Sequence, residues 1–401
     1  MIRRDLYLNR LIDYKDKDII KIITGVRRCG KSYLLFEIFY KYLLEVGVDG
    51  RHVIALNLES GKCKSLRSND ELYKHIGNLI KDKEKHYVFI DEIQFVSGFE
   101  EVVNSLKADF NCDLYITGSN SRFLSSDINT RLRGRGVEIR VHPLSFKEYY
   151  DYMGGEVRVA FSDYVRYGGM PYVCELDKDY EKVEYLKMLN DTVASRDVIE
   201  RNNIRNECVF DALLQLLSSQ IGSYVSPNKI SSTFKSNGFK KTDNETISAY
   251  LSFICDGFLF YKAQRFDIKG KEYLKTQNKY YCCDLGLRNQ RLNFRQMELT
   301  HILENLVYLE LLRRGFSVDI GKNRDKEIDF IARSHQDLIY IQVSFSIEEP
   351  SVRQRELSAF RGIDDGYRKI IITADANPLT ILEKGYRMMN VYDFLLDENS
   401  L

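Results

Sequence analysis

The first 150 residues alternate short apolar runs with longer stretches in which apolar residues recur every three or four positions. The runs are predicted to be strands buried on both faces, covered by the helical stretches, as in an α/β fold with a parallel sheet. Strands are predicted over five ranges: 19–24, 52–58, 86–91, 113–118 and 137–145. Helices are predicted over three: 32–46, 70–83 and 96–110. We therefore expect residues 1–150 to form one α/β domain.

The rest of the chain follows three other patterns. Residues 151–220 are mainly helical in periodicity and are interrupted by YGGMP at 167–171, so we expect a helical, lid-like segment. Residues 221–295 contain two helical stretches and then a two-stranded ribbon, the pattern of a winged helix-turn-helix. Residues 296–401 begin with an apolar helix, followed by three strands, a helix and a fourth strand, which predicts a second α/β domain.

Composition and charge narrow the class of protein. A chain of 401 residues exceeds one typical core, so two or three domains are expected. No apolar run reaches 18 residues and the N-terminus is charged, which predicts a cytoplasmic protein without a membrane span. The eight cysteines form no CxxC pair, which favours reduced thiols. Net charge is only +1, but residues 221–295 hold 13 Lys and Arg against 6 Asp and Glu, which indicates a local attraction for DNA.

The clearest chemical motif is GVRRCGKS, which lies between the first predicted strand and the first predicted helix. Its spacing is that of a phosphate-binding loop, in which glycines let backbone N–H groups surround the phosphates of a nucleotide. Lys31 would contact the β and γ phosphates, and Ser32 would ligate Mg²⁺. ATP and Mg²⁺ are therefore the expected cofactors. The candidate binding residues are Gly25, Val26, Arg27, Arg28, Cys29, Gly30, Lys31 and Ser32.

Polar residues that end two later strands complete the expected site. Asp91 and Glu92 follow the apolar run YVFI; Asp91 would hold the magnesium, and Glu92 would orient or deprotonate the attacking water. A strand between the loop and these carboxylates predicts the strand order of AAA-type ATPases. Ser119 and Asn120 end the next strand, and Asn120 is the candidate for contact with the γ-phosphate or the water. The alternative for either residue is a helix N-cap.

Three arginines, Arg131, Arg133 and Arg135, precede the fifth predicted strand in TRLRGRG. In a ring or dimer, an arginine at this position can reach the γ-phosphate of a neighbouring subunit. We choose Arg135, which is nearest to the strand, and therefore expect a homo-oligomer with the arginine supplied in trans. The alternative is an ion pair unrelated to phosphate.

Six motifs in order carry a family resemblance: GVRRCGKS, the DE after YVFI, TGSNSRFLSS, LRGRG, HPLSFKEY and YGGMPYV. Across essentially the whole chain they resemble prokaryotic AAA-type ATPases that carry a conserved, uncharacterised C-terminal domain. The resemblance implies an AAA-type P-loop domain, a winged helix and a C-terminal domain similar to the restriction-endonuclease fold. Arg27 and Arg28 match paired arginines of that group, whose contacts can be to phosphate, nucleotide or a neighbouring subunit. It implies no settled biological role.

A restriction-type nuclease needs metal-binding carboxylates and a lysine that stabilises the charge of the reacting phosphate. Glu304 in the first helix and Asp329 in the second strand match this pattern, and Gln342 is a tolerable substitute on the third strand. Ser344, however, stands where the lysine belongs, and no lysine occurs between residues 327 and 368. Lys326, just before the second strand, is the candidate to replace it in space. We expect a vestigial site in a domain retained for binding DNA or a partner; the alternative is that these are ordinary polar positions.

Lysines in the basic segment favour contacts with DNA phosphates over base reading. Lys240 and Lys241 precede its second helix, and the ribbon adds five more cations: Lys262, Arg265, Lys269, Lys271 and Lys275. The alternative is a winged helix that packs against another domain or protein. The first hypothesis is a Mg²⁺-dependent ATPase whose nucleotide state controls DNA contact. An ATP-controlled oligomeric switch acting on a protein partner is the second, and an ATP-gated nuclease is the third.

Overall fold

The computed structural model describes residues 2–120, 132, 134–295, 298–335, 337–376 and 380–401. The chain forms two compact units. The first comprises Met1–Pro143 with Asp256–Phe258, and the second comprises Leu144–Cys255 with Leu259–Leu401. The segments predicted over 151–220, 221–295 and 296–401 thus belong almost entirely to the second unit. Within the described residues, no helix is both long and apolar enough to cross a membrane.

Among the described residues, the first unit contains five strands and four longer helices. Its strands are β1 (Ile20–Thr24), β2 (Val53–Asn57), β3 (His86–Asp91), β4 (Cys112–Gly118) and β5 (Gly136–Arg140). Its helices are α1 (Asp5–Tyr14), α2, α3 (Asn69–Leu79) and α4 (Phe99–Asp109). Helix α2 begins as Lys31–Tyr33, continues through a π-helical stretch at Leu34–Phe39 and ends as Tyr40–Glu45. Short 3₁₀ helices span Gly50–His52, Gly61–Leu66 and Ile93–Phe95.

The five strands form a parallel sheet in the order β2-β3-β4-β1-β5. This confirms the predicted parallel sheet of an AAA-type domain, although β5 ends at Arg140, five residues before its predicted end. Every residue of β3 is buried, since helices cover both faces of the sheet. Because β4 lies between β1 and β3, the carboxyl ends of these three strands meet at one edge. That edge carries the phosphate loop, Asp91 and the end of β4.

The second unit is longer and mixes helices with one large sheet. Its helices are α5 (Phe146–Met153), α6 (Val157–Tyr167), α7 (Asp179–Thr192, continued by π-helical Val193–Glu200), α8 (Glu207–Ser219), α9 (Pro227–Ser236), α10 (Asn244–Asp256), α11 (Leu285–Arg291), α12 (Leu299–Arg313), α13 (Pro350–Ala359) and α14 (Val391–Leu396). Its strands are β6 (Tyr224–Val225), β7 (Phe260–Asp267), β8 (Glu272–Cys282), β9 (Ser317–Asn323), β10 (Lys326–Arg333), β11 (Leu338–Ser344), β12 (Arg368–Thr373), β13 (Thr380–Ile381) and β14 (Arg387–Asn390). Short 3₁₀ helices span Pro171–Glu175 and Glu383–Gly385.

Nine strands of the second unit form one sheet, in the order β13-β14-β12-β11-β10-β9-β7-β8-β6. The β7–β8 ribbon, expected from the sequence to belong to a separate winged helix, pairs in parallel with β9, with Arg265 opposite Ile320. Strands β9, β10 and β11 form an antiparallel meander, and β12 joins β11 in parallel. The segment predicted as a winged helix and the C-terminal α/β segment therefore share a single sheet.

Candidate nucleotide site and a buried ion cluster

The phosphate loop Gly25–Ser32 connects β1 to α2, and its conformation depends on two glycines. Gly25 has a φ of 146° and Gly30 a φ of 103°, a region that other residues rarely adopt. A Cβ atom on Gly25 would lie 2.1 Å from the carbonyl oxygen of Val141. Only glycine therefore lets the loop pack this closely against the chain that follows β5.

Lys31 lies inside this loop with its side chain almost completely buried. Its Nζ atom donates hydrogen bonds to the carbonyl oxygens of Gly25 and Val26, at 2.9 and 3.2 Å. The same ammonium lies 3.9 Å from Oε1 of Glu92. The predicted phosphate-binding lysine and the predicted catalytic carboxylate are thus neighbours across the loop.

Asp91 and Ser32 also lie close together. The hydroxyl of Ser32 lies 2.9 Å from both carboxylate oxygens of Asp91, and Thr117 donates a hydrogen bond to Oδ1 of Asp91 at 2.6 Å. Burial raises the pKa of the Asp91 carboxyl, and the charge of Glu92 adds to this effect, while the bonds from Thr117 and Ser32 oppose it. A hydroxyl and a carboxylate this close form an all-oxygen donor set, which fits Mg²⁺.

Glu92 occupies a strained position at the end of β3. Its backbone is left-handed, with φ 55° and ψ 50°, and its N–H donates to Oγ1 of Thr117 at 2.9 Å. Gln94 donates from Nε2 to the Glu92 carboxylate, and the same nitrogen lies 3.3 Å from Oγ of Ser119. Such strain is typical of functional positions, where surrounding contacts hold a side chain in place. Here the contacts aim Glu92 at the loop.

Ser119 and Asn120 follow β4 and are both buried, at 1% and 2% exposure. The next residues, 121–131 and 133, lie outside the described residues, and these include the candidates Arg131 and Arg133. Arg135 is described: its side chain is exposed, and its carbonyl accepts a hydrogen bond from the N–H of Ile20 at 2.7 Å. An exposed guanidinium next to β5 is accessible to a second molecule.

The paired arginines of the loop have different surroundings. Arg27 forms an ion pair with Glu59, in the segment that follows β2. Arg28 is exposed and has a positive φ of 63°. Cys29, between Arg28 and Gly30, is fully buried, and its thiol donates to the carbonyl of Val141 at 3.3 Å. Burial raises the pKa of this thiol, so it serves packing rather than thiolate chemistry.

Sequence reasoning missed three residues that organise this site: Thr117, Gln94 and Arg4. Thr117 binds both Asp91 and the backbone of Glu92, and its only sequence signal is its place just before the polar end of β4. Arg4, near the N-terminus, is 3% exposed and donates to the carbonyls of Cys29 and His142, at 2.9 and 2.6 Å. It therefore fixes the backbone of the phosphate loop from outside.

Replacing Arg4 with glutamine is expected to lower the free energy of unfolding by about 3 kcal/mol, because two buried carbonyls lose a charged donor. Nucleotide affinity should fall as well, since one of these carbonyls belongs to the phosphate loop. Thermal unfolding and titration with a fluorescent ATP analogue measure the two effects. Arg3→Gln is the matched control, because the side chain of Arg3 is 81% exposed. Equal behaviour of the two variants would contradict the role assigned to Arg4.

The second unit contains the three residues predicted as a vestigial nuclease site. Glu304 lies on α12, Asp329 on β10 and Gln342 on β11. The backbone N–H of Asp329 donates to Oε1 of Gln342 at 2.8 Å, and Oδ2 of Asp329 accepts from the N–H of Val343 at 2.8 Å. Burial raises the pKa of Asp329 well above its ordinary value, and the charge of Glu304 adds to the rise. The structure thus places all three side chains in one region.

A lysine that the sequence did not suggest completes this region. Lys279 on β8 is 5% exposed, and its ammonium lies 3.0 Å from Oε1 of Glu304 and 2.7 Å from Oε1 of Glu327. Burial alone would lower the pKa of Lys279, but Glu304, Asp329 and Glu327 outweigh it and raise that pKa. Tyr281 adds a hydrogen bond to Glu304 at 2.6 Å. We call Lys279, Glu304, Glu327 and Asp329 the ion cluster.

Lys326, the lysine considered from sequence, points elsewhere. Its ammonium donates to the hydroxyl of Ser358 at 2.5 Å. The hydroxyl of Ser344 donates to the carbonyl of Ser346 at 3.0 Å. The cation of this region therefore comes from the β7–β8 ribbon, some 50 residues earlier in the chain than Asp329.

Comparison with known proteins identifies an AAA domain in the first part of the chain. Residues 17–150 match the model of a family described as an AAA domain, and residues 158–298 match a domain of unknown function. An uncharacterised protein of Haemophilus influenzae is 40% identical over 402 residues, covering 99% of both chains. One of Methanocaldococcus jannaschii is 32% identical over 376 residues, covering 90% of this chain and 81% of the relative.

Similarity to solved structures is weak. The Aeropyrum pernix Orc1 protein, solved in complex with DNA, is 14% identical with a TM-score of 0.29, covering 73% of this chain and 93% of that one. Cdc6p of Pyrobaculum aerophilum is 12% identical with a TM-score of 0.31, covering 76% and 97%.

Proposed function

We propose that this chain, which belongs to the same family of AAA-domain proteins as its Haemophilus influenzae and Methanocaldococcus jannaschii relatives, is a Mg²⁺-dependent ATPase. The observation that supports this most strongly is the convergence of Lys31, Ser32, Asp91 and Glu92 at one edge of the sheet. A site that only binds nucleotide needs the first three. The carboxylate of Glu92, held next to the lysine, adds a group suited to activating water.

Each group has a distinct task in the proposed reaction. Backbone N–H groups of Gly25–Ser32 and the ammonium of Lys31 bind the β and γ phosphates, and Ser32 with Asp91 holds Mg²⁺. The bound ion neutralises charge on the phosphates. Glu92 orients the attacking water and accepts its proton, while Thr117 keeps Asp91 and Glu92 in register. Asn120 lies after the adjacent strand, where we assign it to the γ-phosphate.

Arg135 is proposed to complete the site of a neighbouring subunit in a homo-oligomer. Its exposed side chain next to β5 supports this assignment. An arginine that reaches a γ-phosphate in trans stabilises the charge of the transition state and makes hydrolysis depend on assembly. Turnover per chain should therefore rise with protein concentration, and Arg135→Ala should remove that rise.

Two segments of the second unit are proposed as DNA-contacting modules. The order α8, β6, α9, α10, β7, β8, in which β6 and β7 both pair with β8, supports the assignment of a winged helix. The order α12, β9, β10, β11, α13, β12, with an antiparallel meander and one parallel strand, supports a fold like that of restriction endonucleases. We assign the second segment to binding rather than cleavage. Lys279, the cation of the ion cluster, lies on β8 and is already paired with the two carboxylates of Glu304 and Glu327.

The surface of the proposed winged helix supports duplex DNA as the ligand. A groove of about 620 Å³ lies between the start of α9, the exposed face of α10 and the β7–β8 ribbon. Apolar side chains line part of it, among them Val225, Pro227 and Leu251. Its polar lining residues include Asn244, Ser248, Ser252, Lys262, Gln277 and Asn278. Lys240, Lys241, Lys269 and Lys271 are also exposed in this segment; the side chain of Lys275 lies outside the described part. We propose that ATP binding and hydrolysis change how this surface contacts DNA.

The double substitution Lys241→Ala with Lys262→Ala is expected to weaken duplex binding at low salt. Log affinity falls as log salt rises, and each lost phosphate contact should make this fall shallower by about 1 in slope. Fluorescence anisotropy with a labelled duplex, repeated across salt concentrations, measures both quantities. Lys41→Ala is the matched control, since Lys41 is an exposed lysine on α2. If the wild type binds no duplex, the assignment of DNA as the ligand is wrong. That result would favour the alternative hypothesis, an ATP-controlled switch that acts on a protein partner.

A further inference from the structure

A second group of possible metal ligands lies at the other end of β3 from Asp91. His86 is the first residue of β3, His52 immediately precedes β2, and Asp82 lies in the connection between α3 and β3. One ligand atom from each residue lies within 4.8 Å of the other two. Asp91 is five residue steps along the strand from His86, which corresponds to roughly 16 Å. The group is therefore distinct from the proposed nucleotide site.

His86 is prepared for metal binding by its own hydrogen bond. Its imidazole is almost completely buried, and Nδ1 lies 3.0 Å from the carbonyl oxygen of Glu84. A carbonyl oxygen only accepts hydrogen bonds, so Nδ1 carries the hydrogen and Nε2 of the neutral ring keeps a lone pair. An imidazole held in this way by a backbone carbonyl is the usual arrangement of histidine ligands in metal sites.

His52 and Asp82 supply the other two donors, and both are accessible. Nε2 of His52 lies 3.0 Å from Oδ2 of Asp82, and the side chains are 19% and 49% exposed. The rings of His52 and His86 meet edge to face, with centroids 4.9 Å apart. In a tetrahedral zinc site, bonds of about 2.0–2.2 Å separate neighbouring ligand atoms by roughly 3.3 Å. The His52–Asp82 pair is already near that spacing. The metal would take the place of the hydrogen that Nε2 of His52 shares with Asp82, and that proton would be released to water.

We propose that His52, Asp82 and His86 bind a divalent transition-metal ion of the Zn²⁺ class, with water in the remaining position. Two imidazole nitrogens and one carboxylate oxygen suit zinc, whereas Mg²⁺ and Ca²⁺ prefer oxygen alone. The ion joins the start of β2 to the start of β3 and to the turn before β3. It thereby links stability of the ATPase domain to the supply of this metal.

Titration of the full chain with Co²⁺ in the absence of nucleotide tests the proposal, followed by displacement with Zn²⁺. The expected result is one Co²⁺ per chain with visible d–d absorption, no thiolate charge-transfer band, loss of the absorption on adding Zn²⁺, and a rise in Tm with Zn²⁺. His52→Asn and Asp82→Asn change accessible side chains and are each expected to weaken binding by at least about 100-fold.

His75→Asn is the matched control, because His75 lies on α3 outside the group. The His75→Asn protein should bind Co²⁺ with the affinity of the wild type. Circular dichroism confirms that the variants remain folded. Three results would each overturn the assignment: no d–d absorption in the wild type, a thiolate band that places the ion on cysteine, or unchanged affinity in both variants.

Discussion

Replacing Glu92 with glutamine is expected to lower ATP turnover by about 10²–10⁴-fold while ATP remains bound. The amide has nearly the shape of the carboxylate, but it cannot accept a proton from water. Its neighbours Lys31, Asp91 and Thr117 stay in place, so the phosphate and magnesium contacts persist. Phosphate release measures turnover, and equilibrium binding of a fluorescent ATP analogue measures affinity.

Glu101→Gln is the control for this substitution, because Glu101 is an exposed glutamate on α4 and its loss should leave both quantities unchanged. Size measurements on Glu92→Gln with ATP add a second readout, since the variant holds the nucleotide that the proposed trans arginine contacts. Turnover at the wild-type rate in Glu92→Gln would contradict the catalytic role of Glu92.

The substitution Lys279→Met is expected to lower the free energy of unfolding by about 3–5 kcal/mol. Methionine matches the length of the lysine stem, but it removes the ammonium that lies 3.0 Å from Glu304, a buried carboxylate, and leaves His301 at 3.8 Å as its neighbouring basic group. The hydrogen bond from Tyr281 cannot offset that loss, because it provides no charge. Urea denaturation, monitored by far-UV circular dichroism, measures the free energy of unfolding. Tryptophan fluorescence cannot serve as the signal, since the chain contains no tryptophan.

Two further variants separate the ion cluster from general effects of removing a lysine. Adding Glu304→Gln to Lys279→Met removes the unpaired charge and should recover part of the lost stability. Lys262→Met is the control on the neighbouring strand, because Lys262 is exposed and its loss should cost about 0.5 kcal/mol or less. A cost at Lys279 no greater than at Lys262 would contradict the stabilising role assigned to the ion cluster.

The sheet of the first unit could be predicted because each of its strands is a short apolar run set between helical stretches. The sheet of the second unit could not. Its joining contact pairs Arg265 with Ile320, far apart in sequence, and nothing in the periodicity of either strand specifies its partner. The sequence pattern therefore predicts that the β7–β8 ribbon belongs to a separate winged helix, whereas in the structure it lies within the nine-stranded sheet.

The same distinction separates the site residues that sequence identified from those that it missed. Lys31, Ser32, Asp91 and Glu92 follow from the order of strand, loop and helix, because parallel strands bring their carboxyl ends to one edge. Arg4 and Lys279 act through contacts with residues far away in the chain, and isolated basic residues carry no signal of burial. Thr117 lies inside β4, where a threonine is an ordinary strand residue, so its position in the sequence does not indicate its contacts with Asp91 and Glu92.

The most direct test of the central claim compares Mg²⁺-dependent phosphate release from ATP by the wild type and by Lys31→Ala, each with and without duplex DNA at low salt. The proposed function predicts turnover by the wild type that changes when DNA is added, and no turnover by Lys31→Ala in either condition. Equal phosphate release by the two proteins would contradict the assignment of the ATPase site.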